Sequence, residues 1–433
     1  MPISNFPAAL QPIIQQGFLE REFQQALQSR LGYRAVADRM TFNVGIGETL
    51  TKTRAGLKTA VTTPVPTGAN TNLDNGLVPS GFGVEQFTIT LDHYAATTDL
   101  NMVTSRVGIA SQFLQNAAIN GEQAARSLDE LARNALFAPY FGGNTRVRTA
   151  LGAPGVNLNV DDVRGFEKVW VNGVQTPVGA GATLQVTVGA GTYTLVGVSV
   201  DGSTASGAPG GKSGVLTFST SVTVSDGAVN NAVVAQNASN IQRPNSRATT
   251  AALTTADTLT MGVLLNAVPE IDGAYNCYLD PISARQLFGD ADFRQLFTGA
   301  TGANQVYARG MVNDFLGLRF IPTNEAYVQQ HPTLGGSNMV RRPIICGKGA
   351  LIEGSYAGMG ADDTAPKNAI VSIVDGVAMV TREPIDRLQQ IIAQSWYWIG
   401  GYCAPSDVTT TSATVPTATL AAYKRAVIVE HFG

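Results

Sequence analysis

Apolar positions between residues 107 and 135 recur at alternating steps of three and four: Val107, Ala110, Leu114, Ala117, Gly121, Ala124, Leu128, Leu131 and Ala135. That spacing keeps one face of a 3.6-residue helix apolar for about eight turns and predicts a single brace helix over 103–137. Ala and Gly at most seam positions bury less area than Leu or Ile would, so close packing against a sheet suits this helix better than a coiled-coil dimer. Off the seam, Glu122, Arg126 and Glu130 repeat every fourth residue and Asp129 precedes Arg133 by four, which predicts a wet, charge-paired face.

Before the helix the period changes to two. Phe87, Ile89, Leu91 and His93 alternate with Gln86, Thr88, Thr90 and Asp92, the pattern of a half-buried strand. The stretch 42–100 reads as two extended arms joined by a tip rich in Pro, Gly and Asn. A limb of that kind cannot bury a core of its own. Its first arm carries Lys52, Arg54 and Lys58 and its returning arm Glu85, Asp92 and Asp99. Opposite charges on a protruding hairpin can select and register a neighbour, although an exposed pair contributes only about 0–1 kcal/mol. Upstream, Leu10, Ile14 and Phe18, then Leu19, Phe23 and Leu27, repeat at four-residue spacing, with Gly32 as a stop. This predicts an amphipathic helix over 7–31, either a docking arm or a helix packed on its own domain.

Beyond Phe141-Gly142-Gly143 the chain turns rich in Val, Thr, Gly and Ala. Strands are expected at 168–171, 183–188, 193–200, 215–218 and 222–225, punctuated by Asn172-Gly173, Asp201-Gly202 and Asp226-Gly227. Such short strands suggest a separate small sandwich or barrel over 163–242. From residue 255 onward helical and strand signals mix. A buried strand is expected at 275–279, a helix capped by Asp280-Pro281 running to about 297, and strands at 315–321, 344–346, 370–374 and 388–402, the last with Trp396 and Trp398 on one side.

Composition narrows the function. The 433 residues suit two or three domains, and charged residues make up only 14%, so much of the surface is neutral, which favours subunit contacts. A net charge of −3 with scattered basic residues argues against a protein whose main task is gripping phosphates. Cys277, Cys346 and Cys403 sit far apart in apolar runs and read as free buried thiols. Neither a signal peptide nor a membrane span is expected.

Catalytic equipment is sparse. Gly207 to Ser213 misses phosphate-loop spacing and lies between expected strands. His93, His331 and His431 lie near no cysteine or second histidine in sequence. Asp290 and Asp292 lack the other ligands of a calcium loop. The pairs Arg341-Arg342 and Lys424-Arg425 are too sparse for a nucleic-acid stripe, and inter-subunit salt bridges explain them as well. No catalytic residue, metal or cofactor is expected.

The order of these parts resembles the major capsid proteins of tailed bacteriophages, the family with the HK97-type shell fold. The match covers most of the chain outside the β module, and Tyr278-Leu279-Asp280-Pro281, the segment from Phe315 through Pro322, and Arg342 through Gly347 resemble the family's apical pattern. The resemblance implies an α+β HK97-like capsid fold carrying an inserted all-β, sandwich-like domain. It divides the chain into an N-terminal arm (1–40), an E-loop (41–100), spine helix and peripheral domain (101–162), inserted β domain (163–242), mainly apical domain (243–365) and peripheral/apical C-terminal strands (366–433). It further implies a homo-oligomer of pentamers and hexamers forming an icosahedral shell around double-stranded DNA bound without sequence specificity. Portal and scaffolding proteins are the implied partners, no membrane is involved, and assembly would take place in the host cytoplasm to give a virion. Lys52, Arg54, Lys58, Glu85, Asp92, Phe18 and Phe23 are the expected inter-subunit contacts. Rival readings are an encapsulin-type nanocompartment shell, a glycan-active enzyme or hydrolase with a β accessory domain, and a fibre protein.

Overall fold

The computed structural model describes residues 32–42, 49–55, 60–64, 84–101, 109–171, 174–204, 212–236, 238, 241–242, 252–255, 257–258, 262, 265, 268–293, 314–315, 317–330, 339–356, 369–382, 391–405 and 424–432. The expected helix at 7–31 lies outside them. The chain forms two compact units, one built from the segments up to 50, 88–137 and 349–404, the other from 51–87, 138–348 and 405–433.

The first unit is a long helix on a sheet. Strands run in the order Ala37–Phe42, Leu351–Tyr356, Ile391–Cys403, Val377–Arg382 and Ala369–Val374, with Asp92–Asn101 also paired to Ile391–Cys403. Ala37–Phe42 lies parallel to its neighbour, and the other pairs are antiparallel. The 13-residue strand Ile391–Cys403 changes partner at Gly400, which faces Asp92 on one neighbour and Ser355 on another. There the chain needs glycine, because a Cβ on Gly401 would stand 1.8 Å from the Thr90 carbonyl oxygen and one on Gly400 2.3 Å from the Trp398 ring.

The predicted brace appears as the helix Ile109–Phe141, 33 residues and about 50 Å long. Its small seam packs on the sheet as expected. Ala117, Ala124, Ala125 and Leu128 are fully buried against Val377, Met379, Trp396 and Trp398. Small side chains let the helix approach a sheet surface already filled by two indoles; Trp398 stacks between Tyr94 at 5.8 Å and Tyr402 at 5.2 Å. Pro139 sits in the last turn and Gly143 follows with φ 72°, which together stop the helix.

Two expectations change here. The alternation through 86–93 is not one strand: Phe87 and Ile89 are buried, but the strand ends at Thr90, and after the break at Leu91 the phase shifts so that His93 is exposed. Asp129 does not belong to a wet face, since it is 2% exposed. Arg133 bonds Glu130 at 2.9 Å.

The second unit contains the β module, which closes into a barrel. Its sheet runs Asn144–Arg146, Ala232–Ala235, Leu184–Val188, Gly191–Thr204, Lys212–Val222, Gly155–Val160, all antiparallel. The first and last strands then meet through the Val147–Val160 bridge and the bonds Asp161 N–H to Arg146 O (3.1 Å) and Arg148 N–H to Asn159 O (2.9 Å). Closure leaves no long free edge, and the interior holds Leu158, Val160, Leu184, Val186, Val188, Leu195, Leu216 and Phe218. The barrel thus takes in strands upstream of residue 163: Val156, Leu158 and Val160 alternate with Asn157 and Asn159, so the strand Gly155–Val160 carries a period-two signal of its own, outside the expected boundary. The segment expected as a strand at 222–225 is instead mostly a turn leading to Asp226-Gly227.

The rest of this unit is a mixed sheet in the order Ile241–Gln242, Ala426–Val429, Ile344–Cys346, Tyr275–Leu279, Leu318–Pro322, Asp314–Phe315. Asp280 caps the helix Pro281–Gly289, which is shorter than expected. The strand expected at 315–321 is a hairpin, turned at Gly317 with φ 78°. A three-stranded sheet pairs Val328–Gln330, Met339–Arg341 and His431–Phe432.

Candidate functional site

The limb is a two-stranded ribbon of Thr49–Ala55 and Val84–Thr90. Strand alternation sorts its first arm: Thr49, Thr51, Thr53 and Ala55 are exposed, while Leu50, Lys52 and Arg54 are half-buried on the other face. The Arg54 guanidinium lies 5.8 Å from the centre of the buried Phe87 ring, a cation–π contact. Lys52 and Arg54 therefore share one face, with Phe87 beneath Arg54. Asp92 is exposed and starts the next strand, bonded in register to Gly400. Glu85 lies in the returning arm of the ribbon. Phe18, Phe23 and Lys58 lie outside the described residues.

A serine, a histidine and an aspartate do meet in space. Ser283 Oγ lies 2.7 Å from His431 Nε2 and donates to Asp280 Oδ1, whose other oxygen accepts from Arg341 Nη1. The arrangement is not that of a nucleophile with its base, because the carboxylate contacts the serine instead of orienting the imidazole. Ser283 and His431 are both 0% exposed, so no substrate reaches the hydroxyl. No disulfide joins the three cysteines, and burial pushes the Cys277 thiol up to about 12, away from thiolate reactivity. Asp290 accepts from the N–H (2.8 Å) and hydroxyl (2.7 Å) of Thr255, bonds that hold its carboxyl below the usual range. Lys212 and Ser213 open a strand, with no helix after the glycines of the near-miss phosphate loop.

The larger polar clusters escaped sequence reading. In the first unit, Arg34 makes a bidentate bond to Glu353 (2.9 and 2.7 Å) and reaches Asp375 at 3.1 Å, which also binds Arg39 at 2.5 Å. Burial works against the Arg34 charge, but Glu353 and Asp375 outweigh it and raise its pKa. Asp375 is positioned by a tight turn where it adopts φ 50° beside Gly376. In the second unit, Arg146 and Arg342 both pair with Glu430, and Arg342 lies 4.9 Å from the Phe141 ring at the end of the long helix. Burial pushes Arg342 down to about 10. Arg341 and Arg342, for which inter-subunit salt bridges are one reading of the sequence, are buried at 8% and 6% and paired within the chain, because Asp280 and Glu430, distant in sequence, fold against them. No local pattern signals these clusters, because the acidic partners lie 61 to 341 positions away from their arginines.

No family model matches the chain, and no curated protein matches it. Among solved structures it is similar to the capsid of Ralstonia phage GP4, at 12% identity and a TM-score of 0.48, over 93% of this chain and 88% of that one. It is similar to the capsid of cyanophage P-SCSP1u at 11% identity and a TM-score of 0.43, over 92% and 88%. The cyanophage Pam1 capsid is a third, at 10% identity and a TM-score of 0.43, over 93% and 92%.

Proposed function

We propose that this chain is a major capsid protein of the HK97 type, a structural protein that assembles through copies of itself into pentamers and hexamers of an icosahedral shell around double-stranded DNA. The observation that carries the reading is the order and build of its parts. A two-stranded ribbon leads into a sheet strand, then into a 33-residue helix whose small seam lies on that same sheet. A ribbon of two strands buries too little to be stable alone and gains its cover from a neighbour, so assembly stabilises it by mass action. On this reading Lys52 and Arg54 are the cationic face that meets the next subunit, Asp92 and Glu85 are its acidic counterparts, and Phe18, Phe23 and Lys58 join the same contacts.

The 144–235 barrel is the inserted domain, a built-in decoration or capsomer brace. Portal and scaffolding proteins are the partners of assembly in the host cytoplasm, and the virion is the destination. Scattered basic residues let the shell enclose DNA without seizing it. The enzyme reading has less support, because the Ser–His–Asp constellation found among the described residues is sealed from solvent.

Electron microscopy of the purified particle in vitreous ice tests the proposal. Closed icosahedral shells with concentric DNA density are expected; discrete protein cargo would favour the nanocompartment, and dispersed 45.4 kDa monomers under assembly conditions would overturn it.

A further inference from the structure

The barrel hangs on two neighbouring strands. The chain enters it through Asn144–Arg146 and leaves it through Ala232–Ala235, and these two strands pair with each other. A domain on so narrow a stem is expected to move against its body unless side chains cross the junction and hold it. A shared carboxylate makes the crossing. Glu430, which follows the mixed-sheet strand Ala426–Val429, binds Arg146 of the barrel through Oε1 and Arg342 through Oε2 at 2.9 Å, and all three residues are buried.

The Arg146 fork ties the two sides through one rigid group. Its Nη1 donates to the carbonyl (3.1 Å) and Oδ1 (2.5 Å) of Asn230, a barrel residue with φ 68°, while its Nη2 reaches Glu430. Because a guanidinium is planar, a shift of Glu430 relative to Asn230 strains both contacts at once. The Phe432 ring centre lies 5.2 Å from the same guanidinium. On the other side of the carboxylate, the Arg342 guanidinium stands 4.9 Å from the Phe141 ring and 5.7 Å from Tyr327. Arg164, which comes after the barrel strand Gly155–Val160 and is held by Asp162 at 2.8 Å, meets that Phe141 ring at 5.8 Å. Desolvation offsets much of what such buried charges contribute to stability, yet separating them would strand charge away from water, so they oppose opening of the junction.

We propose that Glu430 is a positioning residue that locks the barrel to the mixed sheet, so that the two unfold as one cooperative unit and not as a body with a swivelling appendage. The lock lies within one chain and does not depend on assembly. On the shell reading it gives every barrel one orientation on its subunit.

Hydrogen exchange of the dilute full-length protein across a urea series, read by mass spectrometry for the barrel strand Leu184–Val188 and the sheet strand Tyr275–Leu279 separately, tests this. The wild type is expected to give one midpoint for both strands. Val186→Ala, which opens a cavity at a fully buried barrel position, should lower both by the same amount. In Arg146→Met, Glu430 keeps Arg342 but loses the barrel, so the two midpoints are expected to separate, and adding Val186→Ala then moves the barrel's alone. A mere loss of barrel stability would lower both midpoints together. Where Arg146→Met is insoluble, Arg146→Lys, which keeps a charge but not the fork, is expected to give a smaller separation in the same sense. Separate midpoints in the wild type, or a sheet unmoved by Val186→Ala, overturn the proposal; a single midpoint persisting in the Arg146 variant assigns the coupling to the stem and overturns the role of Glu430.

Discussion

Asp129 Oδ1 accepts the backbone N–H groups of Tyr33 (2.6 Å) and Arg34 (3.1 Å), 96 and 95 residues earlier in the chain. A helix side chain thus caps the short 3-10 turn Tyr33–Val36 that feeds the edge strand Ala37–Phe42. Asp129→Ala leaves two donors without this buried acceptor and should cost about 1–3 kcal/mol. Chemical denaturation checks the magnitude, and faster amide exchange at Tyr33 and Arg34 checks the cause.

The same turn places Arg34 against Glu353, each side chain 1% exposed. Removing one member of a buried pair strands the other, so Glu353→Ala should destabilise by about 3–5 kcal/mol. The double variant Arg34→Met with Glu353→Leu should recover much of that loss. If the single and double variants unfold at the same denaturant concentration, the stranded charge is not what costs stability.

Gly401→Ala places a methyl group 1.8 Å from the Thr90 carbonyl, where only a backbone shift relieves the clash. The expected outcome is loss of soluble protein or a fall of more than about 3 kcal/mol, beyond ordinary overpacking. Gly273→Ala meets no atom within 4 Å but has φ 82°, so its cost should be confined to the turn. Thermal melts of the two variants separate steric from conformational cost.

Native thiol titration should find Cys403 alone reactive, since Cys277 and Cys346 are buried; all three should react in denaturant. Burial holds Cys277 as the thiol up to about 12. The unfolded thiol ionises near 8.5, so this group's contribution is fully present below about 8.5 and declines as pH rises toward the folded value. Alkaline denaturation of a Cys277→Ala variant should accordingly show a shallower pH slope than the wild type.

The strands Asn144–Arg146 and Ala232–Ala235 are neighbours, and Ala235 N–H bonds Gly143 O at 2.7 Å. A short Gly/Ser bridge can therefore replace 144–235 without stretching the body. The shortened protein should stay soluble with less heat-resistant assemblies, which light scattering against temperature would record. Complete insolubility would make the barrel part of the folding core.

Periodicity by itself determined the elements whose burial is set locally. The seam of Ala117, Gly121, Ala124 and Leu128, the buried strand Tyr275–Leu279 and the Asp280 cap were all legible, because a 3.6 or 2.0 repeat and a capping side chain act within a few residues. The α+β class and the existence of a small β module followed from the same signals.

Only the tertiary structure decided which charges are structural. Asp129 sat in an acid–base ladder by sequence yet turned inward to a turn 95 residues away, and the pair Arg341-Arg342 found Asp280 and Glu430 within the same chain. Closure of the barrel likewise depended on Val147 meeting Val160, a contact no local pattern encodes. Long-range pairing leaves no periodic trace because its partners are chosen by chain crossing and not by spacing, so the sequence determined elements and faces while the packed chain alone decided the polar clusters.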